Sequence, residues 1–156
     1  MHSFIIAYAN TQERKSVMKR RTANFKIGTI SAMVLAVIAL VLEILPGGAV
    51  LIFSDGSGSG ITSTYSYFSL TPFGYANFAP LITGIMTIAI LIMVVVSFIK
   101  AGGKKLRTAT IVVNAVAVLV SISPLVYGIH YYNAIGAAIT TVLVLMLGMV
   151  VMAKNE

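Results

Sequence analysis

Four stretches of the chain run for about 19 residues or more with at most one ionisable side chain each, long enough to cross a hydrocarbon core of ~30 Å as helices. They cover residues 27–45, 81–99, 108–126 and 134–152. A chain that must bury four such segments has few options in water. With 58% hydrophobic and 10% charged residues, it lies outside the soluble globular range and reads as an integral membrane protein. The first window is longer than a signal-peptide core, and no small-x-small pattern precedes Pro46. It therefore reads as a retained anchor.

Charge placement gives the direction of threading. Arg14, Lys15, Lys19, Arg20, Arg21 and Lys26 precede the first window. Lys100, Lys104, Lys105 and Arg107 separate the second from the third, and Lys154 follows the fourth. All 11 basic residues thus fall on one side. Basic loops stay in the cytoplasm, so both termini are expected there, and the connection at 46–78 is expected outside. This placement accounts for the net charge of +7 without a nucleic-acid partner. The cluster "ERKSVMKRR" can also lie against anionic headgroups, at roughly 1 kcal/mol per basic residue. Residues 1–24 are accordingly expected as a basic cytoplasmic segment whose apolar piece "FIIAYA" is too short to span, and residues 25–156 as the four-helix transmembrane domain. Met18 opens "MKRRTANFK", which has the character of a start, and intact mass of the native protein checks that expectation.

Most aromatics lie at the opposite, outer rim: Phe53, Tyr65, Tyr67, Phe68, Phe73, Tyr75 and Phe78 in the first outer connection, and Tyr127, Tyr131 and Tyr132 in the second. Amphipathic rings favour that headgroup level. The first connection, 33 residues from 46 to 78, is too long to be structureless in a compact domain. "AVLIF" and "ITSTYSYF" are rich in β-branched and aromatic residues, and "SDGSGSG" supplies the Gly and Asp of a tip, so a small β-hairpin is expected. "TPFG" reads as a turn, and Pro80 suits the first turn of a helix. The fold class expected is an all-α membrane protein, a four-transmembrane-helix antiparallel bundle with a small extracellular β-hairpin in its first outer loop.

Lipid tails are as apolar as Leu, so membrane helices associate through small residues and a few polar contacts. Gly28, Ala32 and Ala36 predict one smooth face on the first span. Thr110, Asn114, Ala117 and Ser121 predict a small polar stripe on the third, and Ala134, Ala138, Thr141 and Gly148 one on the fourth. Glu43 is the only acid inside a window, about half a turn from Pro46. An intramembrane carboxylate suggests a proton or cation site. The structural alternative is a side chain reaching the headgroups or accepting a bond from Tyr127, His130 or Tyr131.

Chemistry-bearing constellations are scarce. The chain has no Cys, four acids and two His, which removes disulfides, thiolate metal sites and cysteine nucleophiles. Asp55 has no second acid in its loop for calcium, and the Gly-Ser alternation precedes no helix that could cradle phosphate. No hydrolase elbow, HExxH or Walker motif is present. No catalytic residue, cofactor site or metal site is expected, and the chain is read as not an enzyme.

Over "YSYFSLTPFGYANFAPLITGIMT" and the four-span pattern, the chain resembles small uncharacterised four-span membrane proteins of Gram-positive bacteria. The resemblance implies a multi-pass plasma-membrane location and no activity. The topology is also similar in outline to the claudin-like tetraspans, although the outer-loop Trp motif and paired Cys are missing. The function expected is that of a non-catalytic interaction or accessory protein in the lipid bilayer. It would present Phe53, Tyr65, Tyr67, Phe68, Phe73 and Tyr75 to a protein partner, or form homo-oligomers through this loop or its small-residue faces. The alternative is a small oligomeric transporter or channel with Glu43 and Asn114 as polar determinants.

Overall fold

The computed structural model of the chain describes residues 2–54, 56, 60–71, 77–100 and 103–153. Four helices carry the apolar windows: α1 (His2–Ile44), α2 (Phe78–Ile99), α3 (Lys104–Ile122) and α4 (Ala134–Met152). All four are long and apolar enough to cross a membrane. Strands β1 (Ala49–Ser54) and β2 (Gly60–Tyr65) lie between α1 and α2, and two 3-10 turns, Ser123–Tyr127 and Ile129–Tyr131, link α3 to α4.

Residues 2–24, part of the expected basic segment, are continuous with the first span: α1 is one helix of 43 residues, about 65 Å at 1.5 Å per residue. No Gly or Pro interrupts residues 2–27, so no helix breaker separates the basic stretch from the apolar one. The third window, 108–126, lies within the span Lys104–Tyr127; α3 supplies it as far as Ile122 and the first 3-10 turn continues it. Pro124, in the first 3-10 turn, lacks the N–H that an α-helix needs and disfavours helical geometry in the residue before it.

Each helix packs on two others: α1 on α2 and α4, and α3 on α2 and α4. The α1–α4 seam is close. A Cβ placed on Gly28 would stand 2.8 Å from the Ala153 Cβ and 3.1 Å from the Met149 carbonyl oxygen. Gly28, Ala32, Ala36 and Ala39 are all buried on α1. Ile139, Leu143, Met146 and Val150 are the large buried side chains of α4, so a smooth helix receives a bulky one. The stripe expected on α4 is therefore wrong in direction, since Ala134, Ala138, Thr141 and Gly148 face outward. The α3 stripe is as expected: Thr110, Asn114, Ala117 and Ser121 are its buried residues.

The hairpin is antiparallel, in a register that pairs Ala49 with Tyr65 and Phe53 with Ile61. Its base is fixed at three points. The Tyr67 N–H donates to the Glu43 carbonyl at 2.9 Å, joining the return strand to the end of α1. The Gly47 N–H donates to the Tyr65 carbonyl at 3.2 Å. The Asn133 side-chain amide donates to the Gly47 carbonyl, while its oxygen accepts from the Gly136 N–H at 2.9 Å as the N-cap of α4. Gly47 holds φ at +153° with Ile135 against it, a conformation that favours glycine. A two-stranded hairpin alone is marginal in water, and here the helix ends supply what it lacks.

Candidate functional site

One group of buried polar residues, among them Glu43, Thr87, Ser121 and Thr140, gathers beneath the hairpin. Glu43, 0% exposed, ends the buried face of α1 one turn past Ala39. Its Oε1 accepts a hydrogen bond from the Thr87 hydroxyl of α2 at 2.7 Å. Its Oε2 is buried and has no hydrogen-bond partner among the described residues. The structural reading of Glu43 had it reach the headgroups or accept a bond from Tyr127, His130 or Tyr131, beside the reading as a proton or cation site. Its partner is instead Thr87, 44 residues away in the chain, because α1 and α2 pack with these faces together.

Tyr67 is the second unexpected element. Expected on an exposed face, it is 3% exposed, because the chain leaves β2 at Tyr65 and turns inward over the helix ends. Its ring lies against Gly48, where a Cβ would stand 2.9 Å away. Burial holds the Tyr67 phenol above its ordinary range, Ser121 opposes that by hydrogen bonding, and the nearby Glu43 and Tyr132 reinforce it. From Ser121 the network continues across α3 and α4. The Ser121 and Thr140 hydroxyls are 2.6 Å apart, and the Tyr132 hydroxyl donates to Thr140 at 2.6 Å. Thr140 also donates to the Gly136 carbonyl at 3.0 Å.

Above this network lies a cavity of about 430 Å³. The hairpin base (Gly48, Val50), the start of α2 (Phe78, Pro80) and the turns after α3 (Ser123, Tyr127, Tyr131) enclose it, with Tyr67 and Tyr132 also in its wall. The Tyr127 and Tyr131 rings meet edge to face, with centroids 6.3 Å apart. His130 is exposed in the same turn. At the other end of the helices a pocket of about 20 Å³ is lined by Thr29, Ser97, Arg107 and Thr110, room for about one water.

Asn114 sits apart from the Glu43 network. It is 0% exposed; with its amide turned to satisfy both ends, it donates to the Leu143 carbonyl at 3.2 Å and accepts from the Leu147 N–H at 3.0 Å. It joins α3 to α4. Arg107 does the same nearer the opposite end, its guanidinium donating to the carbonyls of Val150 at 3.3 Å and Val151 at 2.6 Å. Those carbonyls belong to the last turn of α4, which has no helical partners for them.

The other surface residues divide. Phe53 is 37% exposed and its cross-strand partner Ile61 is 55% exposed. Tyr65 and Phe68 are half-buried, Phe68 with its ring on Gly84. Phe73 and Tyr75, like Asp55, lie outside the described residues. Among those that are described, no three His, Cys, Asp or Glu side chains converge as a metal site would require.

Sequence reasoning missed Asn133, Arg107 and Thr87. An N-cap signal could have found Asn133, since it immediately precedes the apolar run of α4. Arg107 was read only as part of a basic loop. Nothing local marks Thr87, whose role comes from tertiary packing. No family model, curated protein or solved structure matches the chain.

Proposed function

We propose that this is a non-catalytic multi-pass protein of the plasma membrane, with both termini cytoplasmic. In this reading it is an antiparallel four-helix bundle whose extracellular hairpin presents a binding surface to a protein partner. One observation carries the proposal: Phe53 and Ile61, opposed across the strands and exposed, sit on a hairpin whose base is fastened by Glu43, Tyr67, Gly47 and Asn133. An apolar pair held on a rigid base loses little conformational freedom when it is covered, so more of its burial is available as affinity. The distribution of basic residues supports the orientation.

The presenting surface is narrower than the aromatic loop as a whole. Tyr67 serves the interior and Phe68 rests on α2, which leaves Phe53 and Ile61 as the described apolar contacts at the tip. The engagement of both ends of the Asn114 amide with α4 weighs against the transporter alternative, for which that residue would have to face a pathway.

A photo-crosslinking residue placed at Leu70, also exposed, tests the reading in native membranes. A discrete adduct is expected, and it should be lost on Phe53→Ala with Ile61→Ala. An adduct that persists in the double variant, or its absence from the native sequence, refutes this surface.

A further inference from the structure

We propose that Glu43 is a proton-binding site, filled from the hairpin side of the membrane through the hydroxyls of Tyr132, Thr140, Ser121 and Tyr67. The inference needs the orientation given above but not the protein partner; failure to find an adduct at Leu70 leaves it standing.

Glu43 has one oxygen engaged by Thr87 and one buried without a partner among the described residues. Buried polar atoms in folded proteins are nearly always satisfied, and an exception calls for a role. Burying a carboxylate without a counter-ion is costly, and intramembrane acids mark proton pathways. Thr87 faces the carboxyl from α2. Tyr67 faces it from the hairpin return, joined to Ser121 of α3, Thr140 of α4 and Tyr132 beyond the second turn. The titratable groups in this set are the two tyrosines, and no basic residue among those described interacts with the carboxyl. A proton is the ligand that neutralises such a site with no change of side-chain position.

The route runs along the hydrogen-bonded hydroxyls of Tyr132, Thr140 and Ser121 to Tyr67, which lies beside Ser121 and Glu43. Tyr67 and Tyr132 both line the hairpin-side cavity. A hydronium ion there gives a proton to the Tyr132 oxygen as Tyr132 passes its own hydrogen to Thr140. Thr140 turns its own hydrogen from the Gly136 carbonyl to Ser121 as it takes the one from Tyr132, and Ser121 passes one to Tyr67. Glu43 Oε2 has no direct hydrogen-bond partner among the described residues, so the last hop from Tyr67 requires water, which the cavity that Tyr67 lines can supply. One O–H bond forms on the carboxylate, hydronium becomes water, and every hydroxyl ends with a single hydrogen. The backbone carbonyl of Glu43 holds the Tyr67 N–H, so the site adjoins the seat of the hairpin.

The test is infrared difference spectroscopy of the full-length protein in phosphatidylcholine vesicles after a step in pH. A protonated-carboxyl band is expected that rises on acidification, falls reversibly, and is lost in Glu43→Gln. Glu43→Asp, which keeps a carboxyl, should shift the band rather than remove it. Ser121→Ala and Tyr67→Phe should slow the rise without abolishing the band. The proposal is overturned if no pH-dependent band is lost in Glu43→Gln, if Glu43→Asp shows no band, or if both relay variants respond as fast as the native protein.

Discussion

Replacing Asn133 separates two contributions that one side chain makes to the hairpin and to α4. Its oxygen caps α4 through the Gly136 N–H, and its amide nitrogen holds the Gly47 carbonyl. Loss of an N-cap costs about 1 kcal/mol, and loss of a neutral hydrogen bond also costs about 1 kcal/mol net. Asn133→Ala removes both, so destabilisation of about 2 kcal/mol is expected, roughly a thirtyfold change in the folding equilibrium. Asn133→Ser keeps a capping oxygen but is too short to reach Gly47, and about 1 kcal/mol is expected. Reversible unfolding in mixed micelles measures the totals, and hydrogen exchange locates them. The Ser variant should raise exchange in β1 and β2 while the first turn of α4 stays protected, and the Ala variant should raise both. Equal stability of the Ser and Ala variants, or an Ala variant within about 0.3 kcal/mol of the native protein, would refute the double role.

Three further outcomes follow from the packing. Asn114→Ala should cost about 0.6–2 kcal/mol in the same assay, at the low end, because Leu147 N–H and Leu143 C=O remain i, i−4 partners within α4; a larger loss would mean that the amide does more than join two helices. Gly28→Ala should cost about 1–3 kcal/mol, since its Cβ meets Ala153 and the Met149 carbonyl, whereas Gly148→Ala, with nothing within 4 Å, should be neutral within about 0.5 kcal/mol. The reverse ranking would place the seam on the wrong face of α4. Alkali should weaken the fold through Tyr67. Above pH 10.0, the phenol's ordinary pKa, the unfolded chain releases a proton that the folded state retains. Stability therefore falls as pH rises, by at most about 1.4 kcal/mol per pH unit, and Tyr67→Phe should remove that component of the slope.

The features legible in the sequence are those written in local chemistry. Hydropathy marked four spans, the Gly-Ser tip between β-branched runs marked the hairpin, and the Thr110, Asn114, Ala117, Ser121 spacing marked the inner face of α3. The α4 face was misread because apolar residues are equally at home against lipid and against another helix. There the small residues lie outside, and Ile139, Leu143 and Met146 join Ala32, Ala36 and Ala39 in one buried cluster. Complementarity between two helices cannot be seen by reading either one alone. The pairing of Glu43 with Thr87 and the inward turn of Tyr67 are invisible for the same reason, since each joins segments that only the tertiary fold brings together. Pro124 was visible as a breaker, and giving it full weight would have ended α3 where it ends.

The claim on which the rest depends is that the hairpin stands outside the cell while the Lys104 end stands inside. The chain has no Cys, so Phe53→Cys and Lys104→Cys each place one reactive thiol at one end of the fold. In intact cells a membrane-impermeant maleimide should label Phe53→Cys and leave Lys104→Cys unmodified until the membrane is opened. Labelling of Lys104→Cys in intact cells with protection of Phe53→Cys would contradict the account.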